Sequence, residues 1–159
     1  MKKIILLVLS LMLVCLTVCS CGSSDDGGSS NFEVGETAEI DDISITMISF
    51  TESSGTQFIT PDEGKVFVLC EFNIENNSDE EISVSSLLSF EAYFDDYETD
   101  VNVSAMASSD KNQLDGSVAA GKKMAGVIGF EVPEDWSNLE ISYKPNVFMD
   151  KKVTFVAEK

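Results

Sequence analysis

The sequence predicts an all-β fold, an antiparallel β-sandwich or barrel of about seven to nine strands. Three observations carry this. Apolar residues recur with a period of two through most of the chain beyond residue 31. Clusters of Gly, Pro, Asn and Asp break that pattern at short intervals. Beyond the N-terminal segment, no stretch keeps a 3.6-residue period long enough to suggest a helix of ordinary length.

Phe32-Glu33-Val34 opens the ordered part, and Thr37 to Ile40 continues it after Gly35. Asp41-Asp42 reads as a turn, and Ile43, Ile45 and Met47 then alternate with Ser44 and Thr46 up to Phe50. Ser53-Ser54-Gly55 and Pro61-Asp62-Glu63-Gly64 bracket a loop. Lys65 to Glu75 is the clearest strand, with Val66, Val68, Cys70, Phe72 and Ile74 on one face. Asn76-Asn77-Ser78-Asp79 is a turn in which short polar side chains can bond the backbone. Ile82 and Val84 form a short strand leading into a helical turn around Ser85 to Leu88. Phe90 to Phe94 is a strand closed by Asp95-Asp96-Tyr97. In residues 98–113, Val101 and Val103 suggest a brief extended piece and Ser108 to Gln113 a loop. Leu114-Asp115-Gly116 reads as a turn. Lys122 to Val132 is a strand whose Met124, Ile128, Phe130 and Val132 share a face; Gly126 lies on that face and marks a close approach. Leu139, Ile141 and Tyr143 alternate with polar residues, Pro145-Asn146 turns, and Val153 to Val156 closes the sheet.

Several of these stretches, taken in order, resemble a family. Val34-Gly35-Glu36 precedes the strand Ile43 to Ile48. Gly64-Lys65-Val66-Phe67-Val68 runs on to Ile74-Glu75-Asn76-Asn77-Ser78. Phe90 leads to the Asp95-Asp96 turn, where the family usually has Asp-Gly. Leu114-Asp115, Gly121-Lys122-Lys123, Gly126 to Pro133 and Tyr143-Lys144-Pro145 follow. The chain is similar in these pieces to Gram-positive lipoproteins and secreted proteins with an immunoglobulin-like domain of unknown function. That group shares its fold with a mycobacterial immunoprotective secreted antigen, and its members are sometimes mislabelled telomere-repeat-binding factors. The resemblance implies an immunoglobulin-like sandwich of two antiparallel sheets and carries over no catalytic residue.

The N-terminus reads as an address. Lys2 and Lys3 precede an apolar run from Ile4 to Val18. Fifteen residues at about 1.5 Å each span only ~22 Å, short of the ~30 Å hydrocarbon core, so a secretory signal fits better than a permanent span. Val18-Cys19-Ser20-Cys21 resembles a bacterial lipobox, although Cys19 is an unusual residue at its position. That resemblance implies a diacylglyceryl group on Cys21 and cleavage after Ser20. The expected organisation is therefore a signal peptide at 1–20, a lipidated cysteine and Gly/Ser/Asp tether at 21–31, and the sandwich at 32–159. The expected location is the outer face of the bacterial cytoplasmic membrane, reached through two acyl chains, which anchor stably where one does not.

Composition excludes other roles. The chain carries 28 acids against ten lysines, with no His and no Arg, for a net charge of -18. Removal of residues 1–20 leaves 139 residues and takes the charge to -20, because Lys2 and Lys3 leave. Without a basic footprint, nucleic acid is not an expected partner. Without His, the commonest general base is missing. Cys15 and Cys19 leave with the signal and Cys21 is acylated, so Cys70 stands alone and is read as a buried thiol.

No residue pattern singles out a catalytic site or a cofactor, so a non-catalytic binding or structural module is the leading reading, with a protein or cell-envelope ligand. An unrecognised hydrolase is a remote alternative. The acidic run Asp95, Asp96, Glu98 and Asp100 offers the nearest approach to a calcium site, but neither register places Gly and Glu where an EF-hand loop needs them. A calcium-dependent module using Asp95, Asp96 and Asp100 is the second reading. Phe58, Tyr97 and Trp136 are loop-borne aromatics, read either as binding anchors or, for Trp136, as a cap on the core. Any binding surface is expected to include at least one of Thr56 to Thr60, Tyr97 to Asn102 and Trp136, rimmed by acids.

Overall fold

A computed structural model describes residues 31–146 and 148–159. The signal segment, Cys21 and the tether as far as residue 30 lie outside the described residues. Eleven strands follow in order: β1 (Asn31–Glu33), β2 (Thr37–Ile40), β3 (Ile43–Ser53), β4 (Lys65–Asn76), β5 (Ile82–Val84), β6 (Phe90–Phe94), β7 (Tyr97–Glu98), β8 (Gly116–Val118), β9 (Lys123–Pro133), β10 (Asn138–Tyr143) and β11 (Val153–Glu158). The excess over the expected number comes from pieces of two or three residues. One sheet has the order β1-β11-β10-β6-β7, the other β2-β3-β4-β9, and β5 pairs with β8 as a separate ribbon. The pairing is antiparallel except for β1, which runs parallel to β11. Phe72 meets Phe155 at 5.6 Å between ring centroids, and Phe94 meets Phe130 at 5.4 Å, so the two sheets close on one aromatic core as a sandwich.

The alternation in β4 places Val68, Cys70, Phe72 and Ile74 fully inside, as the sequence predicts. Burial pushes the Cys70 thiol far above its ordinary value, so it stays protonated and behaves as a small hydrophobe. The opposite face of β4 is not uniformly wet. Phe67 is buried there, on the side covered by a short helix, α1 (Val103–Ala107). Here the expected extended piece at Val103 is helical. Asn102 is the N-cap and its Oδ1 accepts from the Ala105 N–H at 2.9 Å, which favours a helical start over a strand. A Cβ on Gly129 would sit 2.8 Å from Ala105 Cβ, so that glycine lets α1 lie flat on β9. The Asn102 N–H donates to Gly129 O and the Val127 N–H to Asn112 O, so the 102–113 segment covers the β9 edge. Gly126 also marks a close approach, because a Cβ would stand 2.7 Å from Asn112 O.

Asp41-Asp42 and Asp95-Asp96 each close a two-residue hairpin, with φ of 48° and 60° in the first and 49° and 68° in the second. Both residues of such a turn need positive φ, which strains a side chain at the second position most simply relieved by glycine. Asp42→Gly and Asp96→Gly are each expected to raise stability by about 0.5–1 kcal/mol in urea unfolding. Asp41 and Asp95 are left unchanged, because their carboxylates bond Lys151 and the start of β10.

Among the described residues, one buried side-chain polar atom lacks a partner: Tyr143 Oη. Its ring packs on Phe90 at 5.2 Å, and burial pushes the phenol up to about 12. Tyr143→Phe removes the orphan and keeps the ring, so a gain of about 1–2 kcal/mol is expected by chemical denaturation. A loss instead would mean that an ordered water holds the hydroxyl.

The register divides the sandwich into two ends. At the near end lie Asn31, the start of β11, the end of β10 and the Asp41-Asp42 turn, joined by a Lys151–Asp41 ion pair at 2.6 Å. At the far end lie the β3–β4 loop, the Asp95-Asp96 turn and the β9–β10 connection, joined by a Lys159–Glu52 pair at 2.7 Å.

Candidate functional site

The three aromatics read as loop-borne all fall at the far end, Phe58 and Trp136 on connections, whereas Tyr97 opens strand β7, paired with Phe94 across the hairpin. Phe58 sits in the β3–β4 loop, where Thr56 Oγ1 accepts from the Ile59 N–H at 3.1 Å and the Thr56 N–H donates to Ile59 O at 2.7 Å. Gly55 permits this tight loop, since its φ is 81° and a Cβ would stand 2.0 Å from Ile59 O. The result turns Phe58 outward, 89% exposed. Tyr97 follows the Asp95-Asp96 turn and is 78% exposed.

Trp136 has the other role. It is 2% exposed, wedged edge-on between Phe50 at 5.8 Å and Phe94 at 5.2 Å. Its Nε1–H donates to Glu52 Oε1 at 2.7 Å, and Lys159 Nζ lies 5.6 Å from the ring centroid. Trp136 therefore caps the core, and its ring is not offered to a partner. Glu52 is held below the usual carboxylate range, first by its bond to Lys159 and then by the Trp136 N–H.

The structure gives Asp95 a different role from a calcium ligand. Its carboxylate accepts from Ser137 Oγ at 2.6 Å, from the Ser137 N–H at 3.1 Å and from the Asn138 N–H at 2.9 Å. Those bonds, the Ser137 hydroxyl first, lower its pKa. Asp95 thus pins the start of β10 to the hairpin. Asp96 borders one groove and Asp100 another, beside Leu87 and Leu88. Among the described residues, no three His, Cys, Asp or Glu side chains are grouped to hold a metal ion.

The Asp96 groove is the feature that the sequence did not disclose. It is open, of about 680 Å³, and runs across the far half of β10 and β11. Glu33, Asp96, Glu140 and Glu158 line it together with Phe50 and Val156, and no lysine does. The parallel pairing of β1 with β11 sets Glu33 opposite Val156, and β10 sets Glu140 on the other side of Val156. Glu140 was legible as a solvent-facing position of an alternating strand, but nothing local placed Glu33 beside it.

The family model for a domain of unknown function, DUF4352, matches residues 32–153. The chain belongs to this family. Solved structures share the sandwich at low identity. The yjhA protein from Bacillus subtilis is 18% identical with a TM-score of 0.64, covering 77% of this chain and 97% of that one. A candidate lipoprotein from the same organism, ycdA, is 17% identical with a TM-score of 0.64; the match covers 77% of this chain but spans only 38% of ycdA. An uncharacterised β-sandwich protein from Clostridium difficile is 16% identical with a TM-score of 0.54, covering 82% and 95%. At such identity the likeness establishes the fold alone. No curated protein matches the chain.

Proposed function

We propose that this DUF4352 sandwich is a lipid-anchored, non-catalytic binding module on the outer face of the cytoplasmic membrane, and that it meets its partner with its far end. One observation carries the reading. The exposed Phe58 and Tyr97 stand at the end opposite Asn31, where the tether joins, and a groove lined by four carboxylates crosses the same half of β10 and β11. A chain held by Cys21 would point this end away from the lipid. The chemistry favours a protein or cell-envelope ligand that offers apolar surface for the two rings and cationic groups for the groove. The calcium-dependent reading gains no support from Asp95, whose oxygens already serve backbone and hydroxyl donors.

The test places a photoreactive amino acid at Phe58, at Tyr97 and, as a control, at the exposed Lys122 of the near end, in cells. Adducts to one partner from the first two sites and not the third are expected. With that partner purified, Phe58→Ala with Tyr97→Ala should weaken binding by about tenfold or more at unchanged folding. Full affinity in the double variant would overturn the far-end reading.

A further inference from the structure

We propose that the near end is a membrane seat, in which Leu87, Leu88, Phe148 and Met149 enter the lipid interface while Lys144, Lys151 and Lys152 remain at the headgroups. The inference rests on the anchoring of Cys21 proposed above and says which face of the domain the bilayer meets.

The placement comes from the register. Asn31 is opposite Thr154, one residue along β11 from the Tyr143–Val153 pair that closes the 144–152 loop. The tether therefore joins beside that loop. The Lys144 N–H donates to Ser89 O at 2.8 Å, which ties the 144–152 loop to the 85–88 turn. Across these two connected loops, Leu87 is 60% exposed, Leu88 68%, Met149 53% and Phe148 94%. Four large apolar side chains are thus uncovered at the end where the chain departs towards Cys21.

Reach selects the same end. Ten residues can span at most about 35 Å whatever their conformation. The twelve residues of β4 give the sandwich a length of roughly 40 Å at ~3.3 Å per residue. A domain held at Cys21 therefore meets the bilayer most directly with its near end. Attachment also keeps that end at a high effective concentration, so a shallow apolar insertion suffices.

The lysines are divided in the same sense. Of the eight lysines among the described residues, five lie at the near end: Lys122, Lys123, Lys144, Lys151 and Lys152. Lys144 and Lys152 share Glu91, and Lys151 holds Asp41, which neutralises carboxylates that would otherwise face an anionic surface. Their stems can lie along the apolar side chains with the ammonium groups at headgroup depth. The acid-lined groove sits at the opposite pole. The same end also holds Asp42, Glu75, Asp79, Glu80, Glu81 and Asp150, so the lysines offset only part of its acid and the apolar side chains carry the insertion.

The test reconstitutes the protein from membranes into phosphatidylcholine–phosphatidylglycerol vesicles containing a phosphatidylcholine with a diazirine in its acyl chain. After photolysis, adducts are mapped by mass spectrometry. Adducts in 86–89 and 146–152 should exceed those in 56–60 by about tenfold or more. Phe148→Ser with Met149→Ser should abolish most of them without changing Tm or vesicle retention, since both side chains are exposed. Equal labelling of the two ends, or labelling confined to residues 21–31, would overturn the seat. A peptide ligand that protects Leu87 and Leu88 while lipid adducts are absent would overturn it too. The same spectra report whether Cys21 is acylated. Should it be free, its thiol is coupled to a maleimide phospholipid in the same vesicles, and the adduct map decides the seat independently.

Discussion

Trp136→Ala is expected to lower stability by about 3–5 kcal/mol, the cost of deleting a large aromatic from a packed core. The ring joins the sheets at the far end, touching Phe50 from one and Phe94 from the other. Its removal leaves a cavity that those rings, fixed in strands β3 and β6, cannot fill. It also takes the Nε1–H donor from Glu52 and the ring face from Lys159. Trp136→Phe keeps most of the contact and should cost much less. Both variants are checked by urea unfolding. A loss below about 1 kcal/mol for Trp136→Ala would mean that the indole is not a core residue. The outcome also separates the two roles the sequence allows this residue: a binding anchor would cost affinity and little stability.

Asn76→Ala is expected to cost about 2–4 kcal/mol, because it removes four hydrogen bonds at once from a buried side chain and strands the buried Val118 carbonyl. Asn76 has no exposed surface, and its Nδ2 donates to Glu80 O at 2.7 Å and Val118 O at 2.8 Å. Its Oδ1 accepts from the Ser78 N–H at 3.0 Å and from Ser78 Oγ at 2.7 Å. The side chain thereby fixes the turn after β4 and holds the β5–β8 ribbon to the main sheets. Asn76→Asp should be at least as damaging at neutral pH, since it sets a carboxylate against two carbonyl oxygens, and less so in acid, where a protonated oxygen can donate. The neighbouring Asn77 is exposed and its side chain bonds Ser44 Oγ at 2.7 Å, so Asn77→Ala, which keeps the backbone bond to Asp42 O, should change stability by less than about 0.5 kcal/mol. Similar costs for the two asparagines would contradict the buried-network account.

The comparison of Asn76 with Asn77 shows what the sequence could and could not disclose. The run Asn76-Asn77-Ser78-Asp79 announces a turn, but which asparagine turns inward depends on the phase of β4, and its bond to Val118 spans 42 positions. The long alternating strands β3, β4, β9 and β10 were legible because burial of one face repeats every second residue. The helix Val103–Ala107 was not, since five residues carry too little periodicity and its placement depends on Gly129 across the sheet. The β5–β8 ribbon was half legible: Ile82 and Val84 read as a strand, whereas Gly116 read as part of a turn and begins β8. Phe58 was found from its loop position; Tyr97 was read as a loop residue but begins β7, because the two-residue turn before it folds the chain straight back on β6. The acid-lined groove was not, because β1 pairs with β11 across almost the whole chain.

We propose a sandwich tied by its near end to the membrane through Cys21. Mass spectrometry of the N-terminal peptide from membrane-extracted protein tests it most directly. The account predicts a peptide that begins at Cys21 and carries a diacylglyceryl group on the thiol, and it predicts that Cys21→Ala abolishes the modification and weakens membrane retention. A peptide that begins at another residue with Cys21 unmodified, or a Cys21→Ala variant still acylated and membrane-bound, would contradict it.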